Sequence, residues 1–185
     1  MAINASIMEV KVKTRLIVLA GLFLLLLAGS IRAEVVAVGD YGFHIRVQTE
    51  LPVDKPTAWE QFVHPARWWS ESHSWFGSRE NFTLDPVAGG CFCESLGDKS
   101  VLHLTVSTVV PGEKLIMLGG LGPLQALGLS GPAVFTFEDM GDGRTRIVHD
   151  YRVSGFTELN LEELAPVVAG VQQEQLDSLA ASLAR

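Results

Sequence analysis

The 185-residue chain carries 14 Lys and Arg against 21 Asp and Glu, for a formal net charge of −7, and it has two cysteines. An acidic balance with no cluster of basic residues excludes nucleic acid and anionic membrane surfaces as partners, because both would repel it.

The first 33 residues stand apart from the rest. Lys11, Lys13 and Arg15 precede an uninterrupted apolar run from Leu16 to Ala28, and the small residues Gly29, Ser30 and Ala33 follow. The run is shorter than the roughly 20 residues a spanning helix needs, and the order of charge, grease and small residues is that of a secretion signal. The expectation is cleavage after Ala33 and a periplasmic or extracellular product, with no stable membrane insertion once the signal is gone. The alternative is a retained N-terminal anchor. Four of the 14 basic residues and one of the 21 acidic ones leave with the signal, so the mature chain carries −10. A domain of about 150 residues buries roughly 70% of its unfolded surface, enough for one core with room for a cavity.

Residues 34–42 read as a flexible lead. Phe43 to Leu51 alternates, with Phe43, Ile45 and Val47 on one face and His44, Arg46 and Gln48 on the other, which predicts a half-buried strand. Pro52 ends it. Asp54 is a good N-cap ahead of Lys55-Pro56, and Ala58, Trp59, Phe62 and Val63 form a helical apolar stripe. Pro65 stops this helix, and a short helical or loop piece carries Trp68, Trp69, Trp75 and Phe76. Strands are then predicted over 81–84, 91–96, 100–110, 114–118, 131–138 and 145–153, the last two joined by a glycine-rich turn at 139–143. Asn160 with Glu163 has capping-box form. From Pro166 onward, Val168, Val171, Leu176, Leu179 and Leu183 predict an amphipathic closing helix of about 18 residues. A curved antiparallel sheet of six or seven strands must cover its apolar face, and that helix is the element long enough to do so. The fold class is α+β.

Several stretches match a known pattern in order: Val53 to Phe62, Trp68-Trp69, Gly89-Gly90-Cys91-Phe92, Val106 to Leu115, and Gly143 to Ile147. In these the chain resembles the START-like helix-grip superfamily (SRPBCC), which includes polyketide cyclases and homologues of the chaperone-ATPase activator. The resemblance covers roughly residues 43 to 184. It implies a deep, mostly apolar cavity between the sheet and the long helix, on a scaffold that serves ligand carriers, cyclases and chaperone helpers alike. Export argues against a chaperone-ATPase partner.

Candidate chemistry is sparse. Strand parity sets His149 with Ile147, Tyr151 and Val153, so it is expected to point inward as a core histidine, while His103 is expected at the surface. Cys91 and Cys93 on one extended strand would hold their Cβ atoms roughly 6 to 7 Å apart, too far for a disulfide unless a bulge bends the strand at Gly89-Gly90. With Glu94 and a histidine they could be drawn into a metal site, yet no further ligand pair has the right spacing, so no metal and no cofactor are expected. Trp68, Trp69 and Trp75 lie within eight residues, and the adjacent Trp68 and Trp69 are not expected both to face inward. The stretch 119–131 holds five glycines in no phosphate-loop pattern, and reads as an apolar lid or a mobile connector. The functional expectation is binding of a small apolar or aromatic molecule, lined by Trp69, Trp75, His149 and Tyr151. The alternatives are a cyclase or dehydratase with His149 as base and Tyr151 orienting an oxygen, or a protein-interaction module using the tryptophan patch.

Overall fold

A computed structural model describes residues 33–184, so the secretion-signal expectation lies outside the described residues. Eight strands form one open antiparallel sheet: β1 (Ala33–Gly39), β2 (Gly42–Leu51), β3 (Phe82–Leu84), β4 (Cys91–Leu96), β5 (Lys99–Val110), β6 (Lys114–Gly119), β7 (Leu129–Gly141) and β8 (Arg144–Gly155). The order across the sheet is β1-β2-β8-β7-β6-β5-β4-β3. Helix α1 (Lys55–Phe62) follows β2, and helix α2 (Leu161–Leu183) closes the chain. Among the described residues, no helix is long and apolar enough to cross a membrane.

The expected parity holds on β2 and β8. Phe43, Ile45 and Val47 are buried, as are Ile147, His149, Tyr151 and Val153. Arg46 and Asp150 lie on the other face and pair with each other across the two strands. The β7–β8 hairpin turns through Asp142 and Gly143, both at positive φ (53° and 71°), the conformation that tight hairpin turns require and glycine adopts freely. Asp54 caps α1 by accepting from the Thr57 N–H at 3.0 Å. Asn160 caps α2 by accepting from Glu162 N–H, and its own amide donates to the Glu163 carboxylate, tying the two capping-box positions together.

Three expectations need correction. The lead at 34–42 is not a flexible segment: residues 33–39 form edge strand β1, paired with β2 from Ala33↔Val47 to Gly39↔Gly42. Its Val35 and Val36 remain exposed, so no alternation marks it, and backbone pairing holds it. The sheet therefore has eight strands rather than six or seven. Helix α2 starts five residues before Pro166 and runs for 23, with the proline inside it. There the ring removes one N–H near the helix start, a cost the packed apolar face of Leu161, Ala165, Val168 and Ala169 outweighs.

The third concerns Cys91 and Cys93, which form a disulfide with Cα atoms 5.5 Å apart. A β-bulge lies beside this bridge, on the neighbouring strand. Phe92 pairs with Leu104 and Cys93 with Leu102, leaving His103 as an extra residue on β5. A bulge bends and twists the local ladder. At 5.5 Å the two Cα atoms lie within the 4.4 to 6.8 Å range that a disulfide needs.

Candidate functional site

The space between sheet and α2 is largely filled. Aromatic rings run through it in sequence: Phe62 lies 4.9 Å from Phe135 and 5.7 Å from Trp68, Trp68 5.5 Å from Trp69, and Trp69 5.0 Å from Phe92. Trp68 and Trp69 are both interior, at 4% and 8% exposure, contrary to the expectation that adjacent tryptophans diverge. Their segment is sandwiched under α2. Trp68 Nε1 donates to Phe62 O, Ser178 Oγ donates to Trp68 O, and Ser70 N–H donates to Gln175 Oε1. A void of about 20 Å³ lies in the deep interior, lined by Phe62, Trp68, Phe135, His149 and Gln175 among others.

His149 borders that void, not an open pocket. Its ring stacks on Phe135 with centroids 4.0 Å apart and planes within 3°. Nδ1 donates to Val134 O at 3.4 Å, and Nε2 has no hydrogen-bond partner. Burial pushes its pKa down to about 4 against weaker upward pulls from the Val134 carbonyl, Asp150 and Gln172, so the ring is neutral at physiological pH. Tyr151 is fully buried, and its hydroxyl is committed at both ends. It donates to Gly119 O at 2.9 Å and accepts from Leu121 N–H at 3.0 Å. Burial raises its pKa to about 12, with the Leu121 bond opposing.

The open space lies further out. A cleft of about 360 Å³ sits between the first half of α2, the loop after β6 and the loop after Trp69. Leu164, Val167, Val168 and Val171 form the helix wall, Leu121 to Leu124 the second wall, and Trp69, His73, Ser74 and Trp75 the third, with His103 also lining it. Trp75 is 55% exposed at the rim. Of the four expected lining residues, Trp69 and Trp75 meet at this cleft, while His149 and Tyr151 lie deeper in the core.

The glycine-rich stretch is docked against the sheet. Leu124 and Leu129 are buried, Gln125 Nε2 donates to Leu102 O, and Tyr151 ties Gly119 and Leu121. A Cβ at Gly120 would lie 2.3 Å from Leu129 O, so only glycine permits this close approach. The third wall is tied to α2 by Glu174, whose carboxylate accepts from Ser70 Oγ (2.7 Å) and Ser72 Oγ (2.9 Å) and pairs with His73 Nε2 (3.0 Å). These hydrogen bonds, from Ser70, His73 and Ser72 in order of weight, pull its pKa down to about 2.

Sequence reasoning missed the buried pair Glu94–His103. The bulge turns His103 inward beside Leu104, so it is 4% exposed rather than at the surface, and Leu102 takes the outward position. Its ring packs in a triangle with Phe82 (5.4 Å) and Phe92 (5.3 Å), which are themselves 5.5 Å apart, and Nε2 donates to Glu94 Oε2 at 3.3 Å. Glu94 is fully buried and accepts from Ser74 Oγ (2.6 Å), Phe76 N–H (2.8 Å) and Trp75 N–H (3.0 Å). Burial pushes its pKa up, yet these bonds and His103 outweigh it, and the carboxyl stays below its ordinary value. His103 is also held below the usual histidine value, by burial first, with Glu94 opposing. The available signal was parity on β4: Glu94 shares the face of the apolar Phe92, an acidic residue where grease is expected. Among the described residues, no group of three or more His, Cys, Asp or Glu could hold a metal ion.

Fold and cleft together define a class: an open antiparallel sheet covered by a long C-terminal helix, consistent with a helix-grip architecture and carrying an apolar cleft at one end. No family model and no curated protein matches the chain. Solved structures do. An uncharacterised protein from Rhizobium leguminosarum superposes with a TM-score of 0.59 at 16% identity, over 83% of this chain and 97% of its own. CalU16 from Micromonospora echinospora matches at 0.50 and 13% identity, over 77% and 76%. DynU16, from the dynemicin biosynthetic locus, matches at 0.52 and 18%, over 76% of this chain and 47% of its own. At such identities the likeness is one of fold.

Proposed function

We propose that the protein is an exported, START-like helix-grip member that binds a small apolar or aromatic molecule in the cleft between α2, the loop after β6 and Trp69–Trp75. The observation that carries this reading is the cleft itself. Its volume of about 360 Å³ falls within the range of small-molecule sites, about 300 to 1,000 Å³, and its walls are mainly Leu, Val and Trp. Removing apolar ligand surface from water contributes roughly 25 cal/mol per Å², less the cost of immobilising the ligand. The ligand sits at the end of the helix rather than beneath it, because the void beneath the helix beside His149 is about 20 Å³, roughly the room one water needs. A reaction run by His149 and Tyr151 finds little support: one borders that small void and the other has its hydroxyl engaged twice. An interaction patch of three tryptophans is reduced to Trp75.

Native mass spectrometry of protein purified from its own envelope, combined with titration of a hydrophobic dye, tests the reading. A retained small molecule, or saturable dye binding that Trp75→Ala weakens, is expected. Absence of both sinks it.

A further inference from the structure

We propose that the cleft selects ring compounds bearing a hydroxyl or similar hydrogen-bond donor, and that Nδ1 of His103 is the atom that receives it. This rests on the binding reading above and names the ligand class for the same cleft.

Glu94 decides which nitrogen is free. A carboxylate accepts and does not donate, so the bond between Glu94 Oε2 and His103 Nε2 fixes the proton on Nε2. The neutral ring then carries its lone pair on Nδ1, and burial, opposed by Glu94, holds the ring below the usual histidine pKa, which favours that neutral form. No hydrogen bond occupies Nδ1 among the described residues, and the ring lines the cleft. Phe82 and Phe92 pack against the ring and Glu94 holds Nε2, which together limit how the ring can turn.

The other polar side chains of this wall take part in hydrogen bonds, while Gln172 lines the cleft from α2. Both Glu94 oxygens take internal donors: Ser74 Oγ and Phe76 N–H on Oε1, Trp75 N–H and His103 on Oε2. Ser74 Oγ also accepts from Phe76 N–H and Ser78 N–H, and His73 is paired with Glu174 at the rim. His73, the wall's other histidine, is 30% exposed and open to water, so the buried Nδ1 of His103 is the acceptor that a donor-bearing guest would serve, and Trp69 lines the same cleft. A ligand without a donor leaves that nitrogen desolvated and unpaired, while a phenol or enol satisfies it. Glu94 acts as a positioning residue.

The test compares 2-naphthol with 2-methoxynaphthalene, the ether that lacks the donor, using calorimetry on the wild-type protein at pH 7.5. Naphthol is expected to bind about ten- to a hundred-fold more tightly, the range for leaving a buried polar group unpaired. His103→Phe keeps a flat ring packed against Phe82 and Phe92 and should bring the ratio close to one through loss of naphthol affinity. Equal affinities in the wild type, or a ratio unchanged in His103→Phe, overturn this proposal while the binding reading stands. Failure of both compounds to bind overturns the two together. Should His103→Phe not fold, nitrogen NMR of labelled histidine in the wild type decides: the Nδ1 resonance must shift with naphthol and stay put with the ether. Identical responses overturn the assignment.

Discussion

Replacing His149 with phenylalanine isolates one contribution to the acid sensitivity of this fold. In the folded protein the ring is buried with a pKa of about 4, whereas in the unfolded chain it titrates near 6.5. As pH falls below 6.5 the unfolded state takes up a proton that the folded state refuses. Stability is therefore fully present above pH 6.5 and is lost as pH falls toward 4. The full gap of about 2.5 pH units corresponds to about 3 kcal/mol, of which about 2 kcal/mol is lost between pH 7 and 5. Carboxylates such as Glu174 and Asp150 add losses below that window, since they protonate in the unfolded chain near pH 4. His103 shares the direction, so the wild type should lose at least the His149 share. The substituted benzyl side chain would keep the stack on Phe135, remove the unpartnered Nε2 and abolish this slope. Urea unfolding at pH 7 and pH 5 measures it. With a slope of about 2 kcal/mol per M, the drop in midpoint should shrink by about 1 M in His149→Phe. A variant whose midpoint falls as far as the wild type's would refute the assignment of a neutral, desolvated imidazole.

Trp69→Ala and Trp75→Ala should separate core from rim. The first truncates a buried ring and is expected to cost about 3 to 5 kcal/mol in thermal or urea unfolding, while the second stays within about 0.5 kcal/mol and weakens dye binding. Glu94→Ala strips the acceptor from Ser74, Trp75, Phe76 and His103, so hydrogen exchange at the amides of residues 75, 76 and 78 should speed up sharply, and unchanged protection would contradict this network. Alkylation of unfolded protein should tag no thiol until reductant is added and two thereafter. Because the Cys91–Cys93 bridge closes so short a loop, its reduction should cost only about 1.5 kcal/mol.

Much of the architecture was readable where a single face is buried. Parity on Phe43–Val47 and on Ile147–Val153 assigned two neighbouring interior strands, β2 and β8, and Asn160 with Glu163 announced the closing helix. What escaped reading depends on partners distant in sequence. Strand β1 shows no alternation because its valines stay exposed and its backbone does the pairing. Trp68 and Trp69 can both be interior because α2 roofs the segment through Ser178 and Gln175, more than a hundred residues away. His103 followed the wrong parity because an inserted residue resets the alternation, and no local composition marks the insertion. Of the candidate site, Trp69 and Trp75 were found, and Glu94 and His103 were not. A lone acidic residue on an apolar parity is a weak sign until its hydrogen-bond donors are known.

The extra residue on β5 is also a point of genetic fragility. Dropping one codon there would restore an unbroken ladder with β4; the inward imidazole and the outward Leu102 depend on the break, and the sulfur bridge lies beside it. A length change of one would thus rewrite both environments together, where most substitutions would touch one. Variation in this segment is more tolerable as exchange of side chains than as change of length.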